Sequence, residues 1–529
     1  MPTDCISFQS SGYFSKLMQD YLDQKPELKP LYNHFPSLEN FEKQIAEKSA
    51  NFDHNNRNAL VETLEKQYQN IEISESTQHN IALLKLENTF TITTGHQLNL
   101  FSGPLYFLYK IISTINLTKE LKSKYPSYNF VPVYWMATED HDFEEINYFN
   151  FKGKKIRWNA ESTGPVGRLS TEGLENLFEI YSQELGSSTN ANTLKKLFEN
   201  AYLKHENLAD ATRFLANALF SSYGLVIIDA DDTNLKRAFI PFVKEELEHQ
   251  TSFKAVQKSI EALSDYTVQV NPREINLFYI EDKLRERIIF ENDKYLVNNT
   301  RISFSKEEIL KLLESNPEKF SPNVIMRPLY QEIILPNLCY IGGGGEIAYW
   351  LELKAFFEAV NITFPILLVR NSVLLATEKQ VKKADNLNLT WKDLFNKSEN
   401  LVNQITHKLS PFPIDLTPQK EALEKQFAYL FELAEKTDKS FSGAVKAQEV
   451  KQKKGLENLE KRLLKAQKRK LADQLERVTD LQCELFPNNS LQERQANFSE
   501  FYLEKGEQLI PLLIQKLKPL EHNFDIIII

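Results

Sequence analysis

The stretch Phe90-Thr91-Ile92-Thr93-Thr94-Gly95-His96-Gln97-Leu98-Asn99-Leu100-Phe101-Ser102-Gly103-Pro104-Leu105-Tyr106-Phe107-Leu108-Tyr109-Lys110 decides the fold. Its opening residues are β-branched or aromatic, which favours an extended strand, and a helical apolar period then runs from about residue 104 to 121. Gly95 and Gly103 punctuate the change, and Pro104 suits a first helical turn, where its missing N–H has no partner to lose. The reading is strand, turn, helix. Moving outward, residues 130–137, 225–229, 338–341 and 364–369 are each nearly all apolar, as strands of a sheet covered on both faces are. A helical segment at 347–360 separates the last two. Strands alternating with helices predict an α/β fold built on a mostly parallel, doubly wound sheet.

Residues 1–85 read as a helical lead-in packed on a catalytic core at 86–371. Two stretches interrupt the core's alternation, at about 143–204 and 248–325, and the second carries short alternating runs at 276–280 and 288–297 that suggest small antiparallel strands. Such inserts either cover the sheet or wall a substrate cleft. From Leu423 the residues Phe427, Leu430, Ala434, Thr437, Phe441 and Ala444 follow a 4-3 spacing, the seam of a coiled coil. The helical coiled-coil domain is placed at 372–486, with 372–385 as a candidate antiparallel partner helix. Phe486-Pro487-Asn488-Asn489 ends it, and the apolar residues beyond return 487–529 to the core.

With 529 residues, one hydrophobic core is too few. Cys5, Cys339 and Cys483 cannot form a disulfide framework or a four-cysteine zinc site, which fits a reducing, cytoplasmic compartment. No secretion signal is visible, and the apolar runs are far shorter than the ~20 residues of a membrane span. The net charge of -9 gives no reason to expect a nucleic-acid partner. A basic stretch at 446–470 reads better as the solvated face of a dimerising helix.

Three segments could carry chemistry. The turn at 95–104 offers unpaired amides and a positive helix end to an anion. Within it His96 is an acid-base group, a substrate hydrogen-bond donor or a cap of the turn, and Lys110 either reaches back to an anion or faces solvent. After the second strand, Glu139-Asp140-His141-Asp142-Phe143-Glu144-Glu145 concentrates six ionisable side chains in seven positions. Such a loop can hold a divalent ion, orient an ammonium group or deprotonate an amine; equally, it is a solvated acidic helix start. Gly342-Gly343-Gly344-Gly345-Glu346 opens another helix and can cradle phosphates or a sugar, or serve as a plain flexible turn; no Gly-Lys-Ser/Thr follows it. Asp229 ends the third strand, and Arg370 and Asn371 end the last. All these segments leave the same edge of the predicted sheet, where ligands of such folds bind.

Together these segments resemble the family of bacillithiol biosynthesis cysteine-adding enzymes, or cysteine ligases, over essentially the whole chain. The resemblance rests on Thr94-Gly95-His96-Gln97 with Ser102-Gly103-Pro104-Leu105-Tyr106 and Lys110, on Trp135 leading into Glu139-Asp140-His141-Asp142 and Glu145-Ile146-Asn147, and on Gly342-Gly343, Gly345-Glu346 and Tyr349-Trp350. The chain departs from the family pattern at His96, where glutamine is usual, and at Gly344, where proline is usual. The resemblance implies a Rossmann-like core with two connecting inserts, and a coiled coil that pairs two subunits. It also implies a ligase that joins the carboxyl group of L-cysteine to the amino group of glucosaminyl-malate. An amide formed from a free carboxylate needs an activated acyl group, so ATP, with Mg2+ as its usual companion, is the expected cofactor. On this reading Asp140, His141 or Asp142 binds or deprotonates the amine, and Lys110 and Arg370 neutralise charge. Thr94, Gly95, His96, Gln97, Gly103, Pro104, Tyr106, Trp135, Glu139, Glu145, Asn147, Asp229, Gly342, Gly343, Gly345, Glu346, Tyr349 and Asn371 complete the candidate binding surface. A non-catalytic coiled-coil scaffold that binds a metabolite, or a synthetase-like nucleic-acid enzyme, is the alternative.

Overall fold

The computed structural model describes residues 4–437 and 439–529. They divide into two compact units, one of residues Met1–Leu375 with Leu491–Ile529 and one of Ala376–Ser490.

The first unit is organised by five strands, here β1 (Thr89–His96), β2 (Asn129–Met136), β3 (Val226–Asp229), β4 (Asn337–Gly342) and β5 (Ile366–Val369). All neighbouring pairs are parallel and lie in the order β3-β2-β1-β4-β5. That is the doubly wound order, in which the chain reverses direction across the sheet between β1 and β4 and opens a crevice at their carboxyl ends. The strand positions expected from the apolar runs are borne out, because in a sheet covered on both faces every position of a strand is buried and the run itself is the signal. Phe90 and Ile92 of β1 pack with Leu338 and Ile341 of β4, Ile366 and Leu368 of β5, and Leu117 and Leu121 of the following helix.

Helix α1 (Asn40–Asn51) adds Phe41 and Ile45 to that cluster. Helix α2 (Tyr106–Lys124) leaves the β1 turn, α3 (Met326–Ile334) precedes β4, and α4 (Gly344–Leu351) follows it. A buried ion pair joins α1 to α3: Lys48 Nζ lies 2.8 Å from Glu332 Oε2, with both side chains at 1% exposure or less. Asn337 and Gln331 also donate to Glu332 Oε1, so the carboxylate is fully satisfied.

The two interruptions are folded. Residues 143–204 contain an antiparallel hairpin of Tyr148–Phe151 with Lys154–Arg157, followed by helices. Residues 248–325 form a five-stranded antiparallel sheet that includes Leu277–Glu281, Leu284–Glu291 and Lys294–Val297. The run at 288–297, expected as one strand, is two, because Asn292 and Asp293 adopt positive φ (52° and 60°) and turn the chain between them. The expected helix at 347–360 is likewise two, α4 and a separate turn of helix at Lys354–Ala359. Residues 372–376 are a strand rather than the start of a helix, and the chain's last strand, Asn523–Ile528, pairs antiparallel with Asp4–Ser7.

In the second unit, α5 (Thr417–Ala434), α6 (Lys439–Lys470) and α7 (Ala472–Leu485) carry the heptad residues. The seam read through residues 423–444 as one helix is broken after Ala434. Leu423, Phe427, Leu430 and Ala434 of α5 bury against Val445 of α6, and Ala444 is exposed. The chain thus folds back as a hairpin, and its own α6 fills the seam, with Lys420–Glu460 and Lys453–Glu424 pairs across it. The helix expected to partner it is short, Glu378–Asn386, and lies against α7.

Candidate active site

At the crevice between β1 and β4 the strands pair Thr94 with Ile341, and both then run into glycine. Space at Gly95 is tight: a Cβ there would lie 3.2 Å from Tyr340 Oη, so that side chain would have to shift slightly to admit it. Beyond these ends lies a cavity of about 970 Å3, large enough for two small substrates or a nucleotide. It brings together the three segments singled out in the sequence. Gly95, His96, Gln97, Tyr106 and Lys110 come from the β1 turn and α2. Trp135, Glu139, Asp140, His141 and Glu145 come from the β2 end, and Gly343, Gly345, Glu346, Tyr349 and Arg370 come from the β4 and β5 ends.

Eight expected residues lie outside its lining and tie the scaffold instead. Thr94 Oγ1 donates to Ile341 O (2.8 Å), and Gly342 O accepts from Arg370 N (2.9 Å). Gly103 and Pro104 form the entry to α2, and Asp142 and Asn147 flank the short helix Phe143–Ile146. Asp229 accepts from Thr138 Oγ1, and Asn371 accepts from Ser113 Oγ (2.9 Å) and donates to Asp525 Oδ2 (3.3 Å).

The two cations expected to neutralise a ligand are already neutralised. Lys110, buried at 3% exposure, donates to Gly95 O (2.7 Å) and pairs with Glu346 Oε2 (2.6 Å). Burial lowers its pKa, and Glu346 offsets part of that. Burial would raise Glu346, but the Lys110 charge, the Gly343 N–H and Tyr340 Oη hold its carboxyl below the usual range. The glutamate thereby occupies the first amide at the amino end of α4, where an anion was expected. Arg370 is bidentate with Glu493 (2.8 and 3.0 Å), a residue of the returning carboxyl-terminal segment.

The free positive charge comes from residues the sequence reading did not single out. Arg273, Arg285, Arg287, Arg327 and Arg494 line the cavity, and none has a carboxylate within ion-pair distance among the described residues. Arg285 lies over the Phe278 ring (4.0 Å) and donates to Ser321 Oγ and Pro322 O. Arg327 sits among the rings of Trp135, Tyr340 and Trp350 at 5.6–5.9 Å. One local signal was legible: Arg285 and Arg287 stand two apart in an alternating stretch, which puts them on one face of a strand.

Acidic side chains share the cavity lining. Gln97 Nε2 donates to both Asp140 Oδ2 (2.9 Å) and Glu145 Oε2 (2.8 Å), holding two carboxylates together where an ammonium group would relieve their repulsion. Glu139 is pushed up by burial and drawn back by Lys236, with which it pairs. His141 Nδ1 lies 2.7 Å from Arg285 Nη1. Guanidinium can only donate, so this nitrogen accepts and the ring's N–H is on Nε2, facing away from a base's role.

A model of the Rossmann-like amino-terminal domain of the bacillithiol biosynthesis protein BshC matches residues 1–371, and a model of its carboxyl-terminal coiled-coil domain matches 373–529. The chain belongs to the BshC family. It is 84% identical over 529 residues to the "Putative cysteine ligase BshC" of Flavobacterium johnsoniae, covering all of both chains. The protein of the same name from Flavobacterium psychrophilum is 65% identical over all of this chain and 99% of its own. That of Cytophaga hutchinsonii is 39% identical over 98% of each. The resemblance and the α/β, Rossmann-like and coiled-coil readings are thereby borne out, as is the assignment to the ligase class. Among the described residues no helix is long and apolar enough to cross a membrane, and no group of three or more His, Cys, Asp or Glu could hold a metal ion.

Proposed function

We propose that this BshC-family chain joins the carboxyl group of L-cysteine to the amino group of glucosaminyl-malate, the last step of bacillithiol biosynthesis, in the cytoplasm. The observation that carries this reading is the mixed charge of the cavity lining. Arginines without a carboxylate partner line it together with the Gln97-bridged pair Asp140 and Glu145. A substrate that bears both carboxylates and an amine is complementary to such a lining. Asp140 or Glu145 takes the proton that the amine must lose before it attacks the acyl carbon.

The acyl donor needs activation, for which ATP supplies a phosphoryl or adenylyl group as the leaving group. The residues fit an anionic nucleotide: Arg327 and Arg494 lack carboxylate partners, and a Cβ at Gly345 would meet nothing within 4 Å, so the main chain is open to a ligand there. The test is incubation of the purified protein with L-cysteine, glucosaminyl-malate and ATP-Mg, followed by mass spectrometry. The expected product has the summed mass of the two substrates less one water, with AMP or ADP appearing in equal amount. Absence of that product under conditions where both substrates bind would overturn the reading.

A second copy of the chain pairs with it through the coiled coil. Tyr429, Leu433, Val450 and Leu459 of α5 and α6 are exposed, an apolar expense that a partner helix would offset.

A further inference from the structure

Arg285 spends its guanidinium on neutral acceptors. Nε donates to Ser321 Oγ (3.1 Å), Nη2 to Pro322 O (3.1 Å) and Nη1 to the His141 ring at Nδ1 (2.7 Å). The guanidinium carbon also lies 4.0 Å from the Phe278 ring centroid, and the His141 ring packs on the same phenylalanine at 5.6 Å. His141 is fixed from its own side too. Its backbone N–H donates to Asp140 Oδ1 (2.7 Å), its carbonyl accepts from Phe143 N (3.0 Å), and Val166 N of the first insert donates to Asp140 O (2.7 Å). Asp140 Oδ1 lies 3.8 Å from Nδ1, too far to accept a proton from it. Nδ1 therefore has one partner, a donor with no lone pair to offer, so the ring proton is carried by Nε2. The side chain is 45% exposed and lines the cavity, and Nε2 has no partner among the described residues. That N–H is open to a ligand.

We propose that Arg285 fixes His141 as a neutral hydrogen-bond donor whose Nε2–H binds an anionic oxygen of a substrate, a carboxylate or a phosphate. The charge of Arg285 decides the kind of acceptor. It has no carboxylate partner among the described residues, and its bond to Nδ1 draws electron density through the ring and strengthens the donor on the far side. An oxyanion on Nε2 completes the chain from guanidinium through imidazole to negative charge, and such charge-assisted bonds are the strong ones. Arg285 acts through His141 and is a positioning residue. His141 itself gives a proton's hydrogen bond and takes no proton, in contrast to Asp140 and Glu145, which face an amine. Which molecule supplies the oxygen rests on the function proposed above; the tautomer and the donor role do not.

The experiment is 15N NMR of the full-length protein labelled at histidine, with the His141 signals assigned by their loss in His141→Gln. At about pH 8 the free protein should show His141 with Nε2 protonated and Nδ1 bare, and Arg285→Leu should admit a share of the Nδ1–H form. L-Cysteine, glucosaminyl-malate and ATP-Mg are then added singly, and the one that shifts the Nε2–H signal supplies the oxygen. An Nδ1–H form in the unaltered protein, a tautomer that Arg285→Leu leaves unchanged, or an Nε2–H that none of the three moves while calorimetry shows them bound overturns the proposal. In turnover, His141→Leu should raise KM for that ligand about 10- to 100-fold with a smaller change in kcat. His141→Gln, whose amide N–H can stand near the Nε2 position but cannot take up a proton, should recover most of it. Loss of kcat in both variants with KM kept is the pattern of a general base and also overturns the proposal. A protein that binds its ligands but makes no cysteine adduct would count against the proposed function, and the NMR result would still decide the role of His141.

Discussion

Arg287 separates binding from stability at the scale of one side chain. It lies on the exposed rim of the cavity wall and has no carboxylate partner among the described residues, so no internal interaction is lost with its charge. Arg287→Gln should raise KM for an anionic substrate by about tenfold, the equivalent of roughly 1.5 kcal/mol for one charged hydrogen bond, and leave the melting temperature unchanged. Steady-state kinetics beside a thermal melt reads both. A fall in melting temperature without a change in KM would show the arginine to be structural. Lys110 and Arg370 are the opposite case. They are residues of the right type in the right place, but each is matched by a carboxylate, the half-buried Glu346 and the buried Glu493, in a pairing that the local sequence does not announce.

Between elements, the Lys48–Glu332 pair decides how α1 is held on α3. Removing one partner strands a buried charge, so Lys48→Met should cost about 3–5 kcal/mol of unfolding free energy by denaturant titration. Lys48→Met combined with Glu332→Gln should recover part of it; additivity of the two single losses would show that the charges do not interact. Asp525, in the strand that pairs with Asp4–Ser7, carries a pH dependence. Burial pushes its carboxyl up to about 7, with Asn371 drawing it down only partly. A raised folded pKa means the native state binds the proton more tightly than the unfolded chain. The stabilisation is complete below the unfolded pKa near 3.8 and is lost as pH rises through about 7. Asp525→Asn should therefore flatten the fall in stability between about pH 4 and 7, by up to about 4 kcal/mol at neutral pH. Melts across that range would show it, and parallel curves for the two proteins would refute it.

For the whole molecule, the boundary of the second unit has a physical reason. The family's coiled-coil match runs from 373 to 529, but residues 491–529 belong with the first unit. Glu493 satisfies Arg370, Asn497 holds the β1 turn, and the last strand closes on the first. If the exposed apolar residues of α6 meet a second chain, Val450→Glu with Leu459→Glu should give a monomer of unchanged helicity by analytical ultracentrifugation and circular dichroism. A wild-type protein that sediments as a monomer would exclude pairing through this face.

The five core strands, the glycine turns and the acidic loop were legible because they are local. Doubly covered strands write burial into consecutive residues, and turns demand glycine where they occur. The heptad spacing was legible too, but not that the chain turns after Ala434 and fills its own seam, since an apolar stripe does not name its partner. The same limit governs the site. Arg370 finds Glu493 at 123 residues' distance, and the second insert's arginines reach the cavity only when its antiparallel sheet is folded. Sequence periodicity determined which segments would be buried and which edge they would share. Which charges cancel, and which remain free for a ligand, was decided by long-range closure, because Coulomb attraction depends on distance in space and leaves no trace in spacing along the chain.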